Sequence, residues 1–539
     1  MATRKVLIVG GGVAGWMTAA YLNSVLNRDG RNFADISLIE PSDASVTVSG
    51  EASTPDIIRF LATLGVNQLD FMRRVGATFR QSSKFVNWLS NSGEYFYHTF
   101  SAQRPGSVDR SAQQWLKSNR SVAFAETVSA QPQLCELNLA PLMLSRWDFG
   151  PPLSYAFHLD ASRFASYLRE LSTAAGVAHH ADHMVDIEMA ESGDIAAVQT
   201  RSGERLEADL FIDCTDSRAL LSDRKLGVAW VDCTQSLICD RALSIDVPYE
   251  QYFPGCVRPY TTVTAASAGW IGEIPLQNTR SLRYVYSSEF LRDDEAEREL
   301  RALEGSHAEA LASTLVRFKT GHRQNAWVRN CIAIGNASSV IEPLEPTALY
   351  MIDLAAATLA DHFPLGDEVA PLAYRYNRIM ANRFYELRDF NNLHYCLTRR
   401  SDTGFWREVQ RPEHINDRLQ AKLDFWRLKQ PTPADFEDQC FPGQPDEPLP
   451  SQDIPGDYRS PVDTAGLWNY QDYECILYGM DFLRSECDEW YGSERPDAVV
   501  AQHVFERLRL AEQKLPPHEV WLQQFCGMPD YKVPARMKT

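Results

Sequence analysis

Three glycines carry the first recognisable chemistry of this chain. Lys5 to Gly15 reads K-V-L-I-V-G-G-G-V-A-G, and Gly10, Gly12 and Gly15 hold G-x-G-x-x-G spacing directly after the apolar run Val6 to Val9. In a strand-to-helix turn each glycine plays a different part, with a tight turn at Gly10, backbone approach to a pyrophosphate at Gly12, and close helix-to-strand packing at Gly15. Val13 and Ala14 then open a helix whose N–H groups and dipole face the phosphates. Glu40, closing the next apolar run Ile36-Ser37-Leu38-Ile39, stands near the separation of roughly 20 residues at which an acid bonds a ribose hydroxyl. A second strand-terminal acid, Asp213 in Asp209-Leu210-Phe211-Ile212-Asp213-Cys214, either holds the ribityl chain of a flavin nucleotide or closes its own turn.

The elements that must position these groups follow from pattern. Val13 to about Leu26 is an amphipathic helix, and a second runs from about Asp56 to Leu64. The turn-rich segment Ser49 to Pro55 before it fits either a ligand loop or a capped helix start. Ala77 to Arg80 and Lys84 to Trp88 read as strand, break and strand, and Glu94 to Phe100 as a third strand whose rings either line a flat pocket or fill core. Gln103 to about Leu153, polar and with prolines at 132, 141, 151 and 152, reads as an irregular excursion over the main body. Asp160 is the expected N-cap of a helix through Leu171, and Val177 to Gln199 alternates as β-structure around Ser192-Gly193-Asp194. Gly269 to Leu276 precedes a strand Arg283 to Ser288. Trp327 to Ala337 reads as one buried strand running into a small-residue turn that contains Gly335, and Ala348 to about His362 as a helix. From about Ala370 the chain is mainly helical and aromatic, with a Pro/Asp-rich loop over about Gln430 to Asp463.

Composition bounds the function. Of 539 residues, 44% are hydrophobic and 23% charged, which is ordinary for a folded protein. The formal net charge of −18, with no Lys/Arg block, argues against a nucleic-acid partner. Eleven cysteines stand singly, without C-x-x-C or a His cluster at metal spacing, so neither a metal site nor a disulfide framework is signalled, and a reducing cytoplasm is expected. No apolar run is long enough for a membrane span. One dinucleotide fingerprint, without a second for a nicotinamide, means that electrons come from outside the chain.

An ordered set of motifs extends the picture. The Gly10 fingerprint is followed by Gly50-Glu51-Ala52-x-x-Pro55, Lys84-Phe85-Val86-Asn87-Trp88, His98-x-Phe100, His158-x-Asp160, Phe211-Ile212-Asp213-Cys214, Trp270 to Pro275, Glu342-Pro343-Leu344-Glu345 and Asp389-Phe390-x-x-x-His394-Tyr395 to Phe405-Trp406. Over most of residues 1 to 410 this resembles the flavin-dependent tryptophan halogenase family. The resemblance implies an α/β chain with an FAD-binding, Rossmann-like flavoprotein monooxygenase/halogenase fold. Its FAD-binding module is expected over 1–365, with a substrate-side excursion at about 80–153, and a mainly helical substrate-side module over 366–539.

It further implies a two-component enzyme that takes reduced FAD from a separate flavin reductase. Oxygen and a chloride or bromide ion then give hypohalous acid, which halogenates a small aromatic or indole substrate. Free tryptophan, a larger indole, a phenol and a peptide side chain stay open, as does a homodimer. Gly10, Gly12, Val13, Ala14, Gly15, Glu40, Ala52, Asp213 and Gly335 match the cofactor side, Thr347 and Ala348 the halide site, and His98, Phe100 and Trp270 the substrate side. Glu345 takes the place of the acid–base glutamate, and a carboxyl in a proline-rich turn needs such a reason.

Four positions depart from the family pattern. Phe79-Arg80 stands where the family has phenylalanine and the lysine that receives the oxidant. Arginine keeps the charge and can hydrogen-bond an oxidant, yet a guanidinium with a pKa above about 12 is a poor nucleophile. Lys84 is the other cation available for that role. Gly272 replaces the second tryptophan of W-x-W-x-I-P, which weakens the screen between substrate and flavin and leaves a reduced-flavin monooxygenase, or a flavin binder without halogenation, as alternative readings. Pro346 and Ala348 replace serine and glycine beside Glu345, and Asp216-Ser217 replaces a glycine after Asp213.

Overall fold

The apolar run of the fingerprint forms the strand Arg4–Val9 near the middle of a six-stranded sheet in the computed structural model, which describes residues 3–42, 50–100, 111–144, 153–436, 466–482 and 497–531. The spatial order is Trp327–Val328, Cys331–Ala333, Leu210–Asp213, Arg4–Val9, Ala34–Glu40 and Ala178–Ala181. All neighbours are parallel except the first pair. Val6 lies opposite both Leu210 and Ile36, so three continuous apolar runs stack side by side, as a sheet covered on both faces requires. The helix Val13–Leu26 packs against this sheet with Trp16, Met17 and Leu22 buried. Trp327 to Ala337 is a hairpin and not one strand. Arg329 turns the chain with φ at 56°, and Val328 pairs antiparallel with Cys331, a reversal hidden within an apolar run.

A second, seven-stranded sheet runs in the order Ser313–Arg317, Arg241–Pro248, Thr279–Tyr286, Gly269–Pro275, Thr261–Ala265, Ser82–Val86, Tyr95–Thr99. Only the pair Thr261–Ala265 and Ser82–Val86 is parallel. A small sheet of Gly50–Ala52, Ala156–Asp160 and Thr78–Arg80 completes the sheet structure around Arg80. Asp160 caps the helix Ala161–Ala174 as expected, accepting the Arg163 N–H at 2.9 Å.

The excursion is more ordered than its polarity suggests. Short helices occupy Ser111–Lys117, Phe124–Val128 and Gln131–Glu136, the last with Pro132 in its first turn, where a missing N–H costs nothing. Residues 101–110 and 145–152 of the excursion, Ser49, and 437–465 of the Pro/Asp-rich loop lie outside the described residues. The helices Ala348–Asp361 and Ala370–Cys396 lead into the last third. One hydrophobic cluster joins Val6 and Trp16 to Phe390, Trp406, Tyr473 and Trp521. Among the described residues no helix is long and apolar enough to cross a membrane, and no group of His, Cys, Asp and Glu could hold a metal ion.

Candidate active site

The cradle at the first turn is built from backbone. Gly10 adopts φ of 108°, and a Cβ there would lie 2.3 Å from the Cys214 carbonyl oxygen. At Gly12 a Cβ would meet nothing within 4 Å. The turn is thus closed on the protein side and open on the other, beside the N-terminus of Val13–Leu26, which is the shape a pyrophosphate needs. Gly335 lets Ala14 approach, since its own Cβ would stand 2.8 Å from that of Ala14. Glu40 is buried at the rim. Its Oε1 accepts from Trp16 Nε1 at 3.3 Å and lies 3.1 Å from His179 Nε2.

Asp213 stands beside this cradle, paired with Val9, but turns its carboxylate to its own loop. Its Oδ1 accepts from Thr215 N and Oγ1, and its Oδ2 from Leu221 N, Ser222 N and Ser222 Oγ. Five hydrogen bonds from its own loop consume the carboxylate, so Asp213 shapes the turn and is not free for a ribityl chain. Asp216 follows with φ of 59°, keeping the left-handed backbone where the family has glycine.

A second cluster is built from side chains. Glu345 is fully buried, with Oε1 2.8 Å from His98 Nδ1 and 3.6 Å from His394 Nε2, while Oε2 has no hydrogen-bond partner among the described residues. His98, also fully buried, turns Nε2 toward Asp472 Oδ1 at 3.2 Å. Burial opposes charge on both groups, and mutual attraction overrides it. The two carboxylates push the His98 imidazole up to about 9, and His98 with His394 holds Glu345 well below the usual carboxylate range. The site therefore contains an ionised carboxylate beside an imidazolium. Strand Tyr95–Thr99 delivers His98, the loop before Ala348–Asp361 delivers Glu345, and Ala370–Cys396 delivers His394, fixed by its Nδ1 bond to the Phe390 carbonyl.

Arg80 is fully buried as well, and the Glu345 charge acts on it through space. Its Nε donates to Thr261 Oγ1 at 2.9 Å, Nη1 to the Ser53 carbonyl at 2.9 Å and Nη2 to Ser83 Oγ at 2.6 Å, while the guanidinium lies 4.6 Å over the Phe100 ring. Burial lowers Arg80 to about 10, so it stays a cation at neutral pH. His158, sharing Thr261 at 2.9 Å, is held well below its ordinary value by burial and stays neutral.

Lys84 is not brought to Glu345. It contacts Glu136 and lies 4.0 Å over the Tyr95 ring, on the opposite face of Ser82–Val86 from the Ser83 that binds Arg80. Trp270 and Ala52 line a cavity with Thr261, Gly272, Arg283 and Leu344. A Cβ at Gly272 would come within 3.0 Å of the Trp270 ring, so the remaining indole leans over the vacant tryptophan position.

At the halide position Ala348 opens a helix and needs no left-handed backbone. The Thr347 N–H donates to the Glu345 carbonyl at 2.8 Å, and the buried Thr347 Oγ1 has no partner among the described residues. His394 and Asp472 escaped the sequence reading as site residues. His394 was visible within a motif, whereas Asp472 follows the Pro/Asp-rich stretch with no spacing to mark it.

Comparison with known proteins fixes the class of enzyme. The family model for tryptophan halogenase matches residues 5–494. The chain belongs to the tryptophan halogenase family and is an oxidoreductase of the flavin-dependent halogenase class. Tryptophan 7-halogenase RebH of Lentzea aerocolonigenes is 32% identical over 499 residues, covering 89% of this chain and 90% of that protein. The crystal structure of a tryptophan halogenase from Shewanella frigidimarina superposes with a TM-score of 0.83 at 29% identity, covering 97% of this chain and 98% of that one. BrvH, a flavin-dependent halogenase from Brevundimonas sp. BAL3, gives a TM-score of 0.79 at 29% identity over 97% and 99%.

Proposed function

We propose that the protein binds reduced FAD delivered by a separate reductase and halogenates an electron-rich, tryptophan-like aromatic ring. The observation that carries this reading is the fully buried Glu345 carboxyl, 2.8 Å from His98 Nδ1, with Oε2 unpartnered among the described residues. Gly10, Gly12, Val13, Ala14, Gly15 and Gly335 would hold the dinucleotide, with Glu40 at the ribose and Ala52 in the adjoining cavity. Reduced FAD, when bound, supplies the oxygen activation that turns halide into hypohalous acid. Thr347 and Ala348, with the free Thr347 hydroxyl and the helix N-terminus, would hold the halide. We place the division of labour at 1–365 for the nucleotide side and 366–539 for the substrate side.

Arg80 differs from a lysine in what it can do next. Three of its five N–H groups are used, and the other two have no acceptor among the described residues. They suit hydrogen bonding to the oxygen of hypohalous acid, whose halogen then becomes more electrophilic. The arene π pair attacks the halogen, the O–halogen bond breaks, and hydroxide leaves. Glu345 takes the ring proton, and that proton and the hydroxide make water. His98, Phe100 and Trp270 border the space for the ring.

The test is a turnover assay with FAD, a flavin reductase, NADH and oxygen over a panel of indoles and phenols, with chloride and bromide run separately. A product with the halogen isotope pattern is expected. A halide-independent gain of one oxygen, or no product with either halide across the panel, overturns the reading.

A further inference from the structure

His98 is faced by two carboxylates, Glu345 from its loop and Asp472 from the helix Tyr470–Gly479, while His394 from the helix Ala370–Cys396 meets Glu345 and Arg80 acts on Glu345 through space. Phe390 and Trp468 close the rest of the shell, with ring centroids 5.4 and 5.1 Å from the imidazole. Asp472 is not a loose surface acid. Its Oδ2 accepts the Asn469 N–H at 2.8 Å as half of a capping box, so the helix start fixes where Oδ1 points.

This arrangement decides where one proton sits. A carboxylate and an imidazole alone in a dry site can collapse to a neutral acid and a neutral base, because burial penalises both charges. A second carboxylate at Nε2 removes that option, since it favours the doubly protonated ring and leaves the Nδ1 proton on His98. We propose that Asp472 is a positioning residue for halogenation: it fixes His98 as an imidazolium donating through both nitrogens, which leaves Glu345 an anion able to take the ring proton. The inference rests on the reading of Glu345 as that base. The ring proton passes to Glu345, and no bond to Asp472 forms or breaks.

Asp472→Asn keeps the shape and the cap acceptor but removes the charge. Nitrogen-15 NMR of labelled histidines, with His98→Ala to assign the signal, reads the charge on His98 without any turnover. The native His98 is expected doubly protonated at neutral pH, with its midpoint lowered in D472N by about one to three pH units. A neutral native His98, or a midpoint unmoved in D472N, overturns the proposal whether or not the protein halogenates; the native titration decides alone if D472N does not fold. In turnover, D472N lowers kcat with KM for the arene little changed, because the shared proton can then settle on Glu345, while Asp472→Glu keeps the native kcat. A kcat that stays native in D472N overturns the proposal as well.

Discussion

The two functional regions of this molecule are built on opposite plans. The nucleotide cradle is made of backbone from one continuous stretch, with Gly10 folded against Cys214 and Gly12 facing open space. The candidate catalytic pocket is made of side chains, with Arg80, His98, Glu345, His394 and Asp472 each drawn from a separate segment. In the first region shape does the work, and a single carbon atom is the unit of damage. In the second, charge does the work, and a single proton is the unit. The difference teaches where each region is vulnerable: the cradle to sterics, the pocket to electrostatics.

Substitutions can break that contrast. Gly10→Ala is expected to do the greatest harm, because its Cβ meets backbone 2.3 Å away at positive φ; loss of soluble folded protein, seen by circular dichroism, is the expected outcome. Glu345→Gln should leave the fold intact and lower kcat by about 10²–10⁴, measured in single turnovers with saturating arene. A native rate in that variant removes Glu345 from proton transfer. Gly12→Ala separates binding from folding: unchanged melting of the apoprotein with weakened FAD affinity is expected, read by titration of flavin fluorescence. Equal losses in both would place Gly12 inside the packing with Gly10. Lys84→Ala should matter least, costing at most about 1 kcal/mol for an ion pair at the protein surface and leaving turnover unchanged, measured by denaturant melts beside the activity assay.

Legibility followed the same divide. The cradle could be read because steric demands write glycines at fixed spacing, and the strand and helix around it kept their expected places, Val13–Leu26 among them. Asp213 shows the limit: a strand-terminal acid looks the same whether it serves a ligand or its own turn, and only its five hydrogen bonds decide. The Arg329 reversal stayed hidden because buried runs flank it, Ala326 and Trp327 before and Cys331 to Ile334 after. Glu345 and His98 were visible through the resemblance, but their partnership was not, since 2.8 Å separates residues far apart in the chain. Asp472 had no sequence signal at all. Its role depends on which ring nitrogen it meets.

The floor beneath Arg80 adds a matter of timing. Phe79, its neighbour in the strand, packs 4.6 Å from the Trp521 ring and gives its N–H to His518 Nε2 at 3.2 Å. His518 in turn donates from Nδ1 to the Val257 carbonyl at 2.8 Å. An early strand thus waits for a helix, His518–Cys526, that the ribosome makes hundreds of residues later. The nascent chain can assemble its cradle while still being translated, whereas the strand that carries Arg80 gets its final support only after residue 518 has emerged. Synthesis itself sets the order in which the two regions can close.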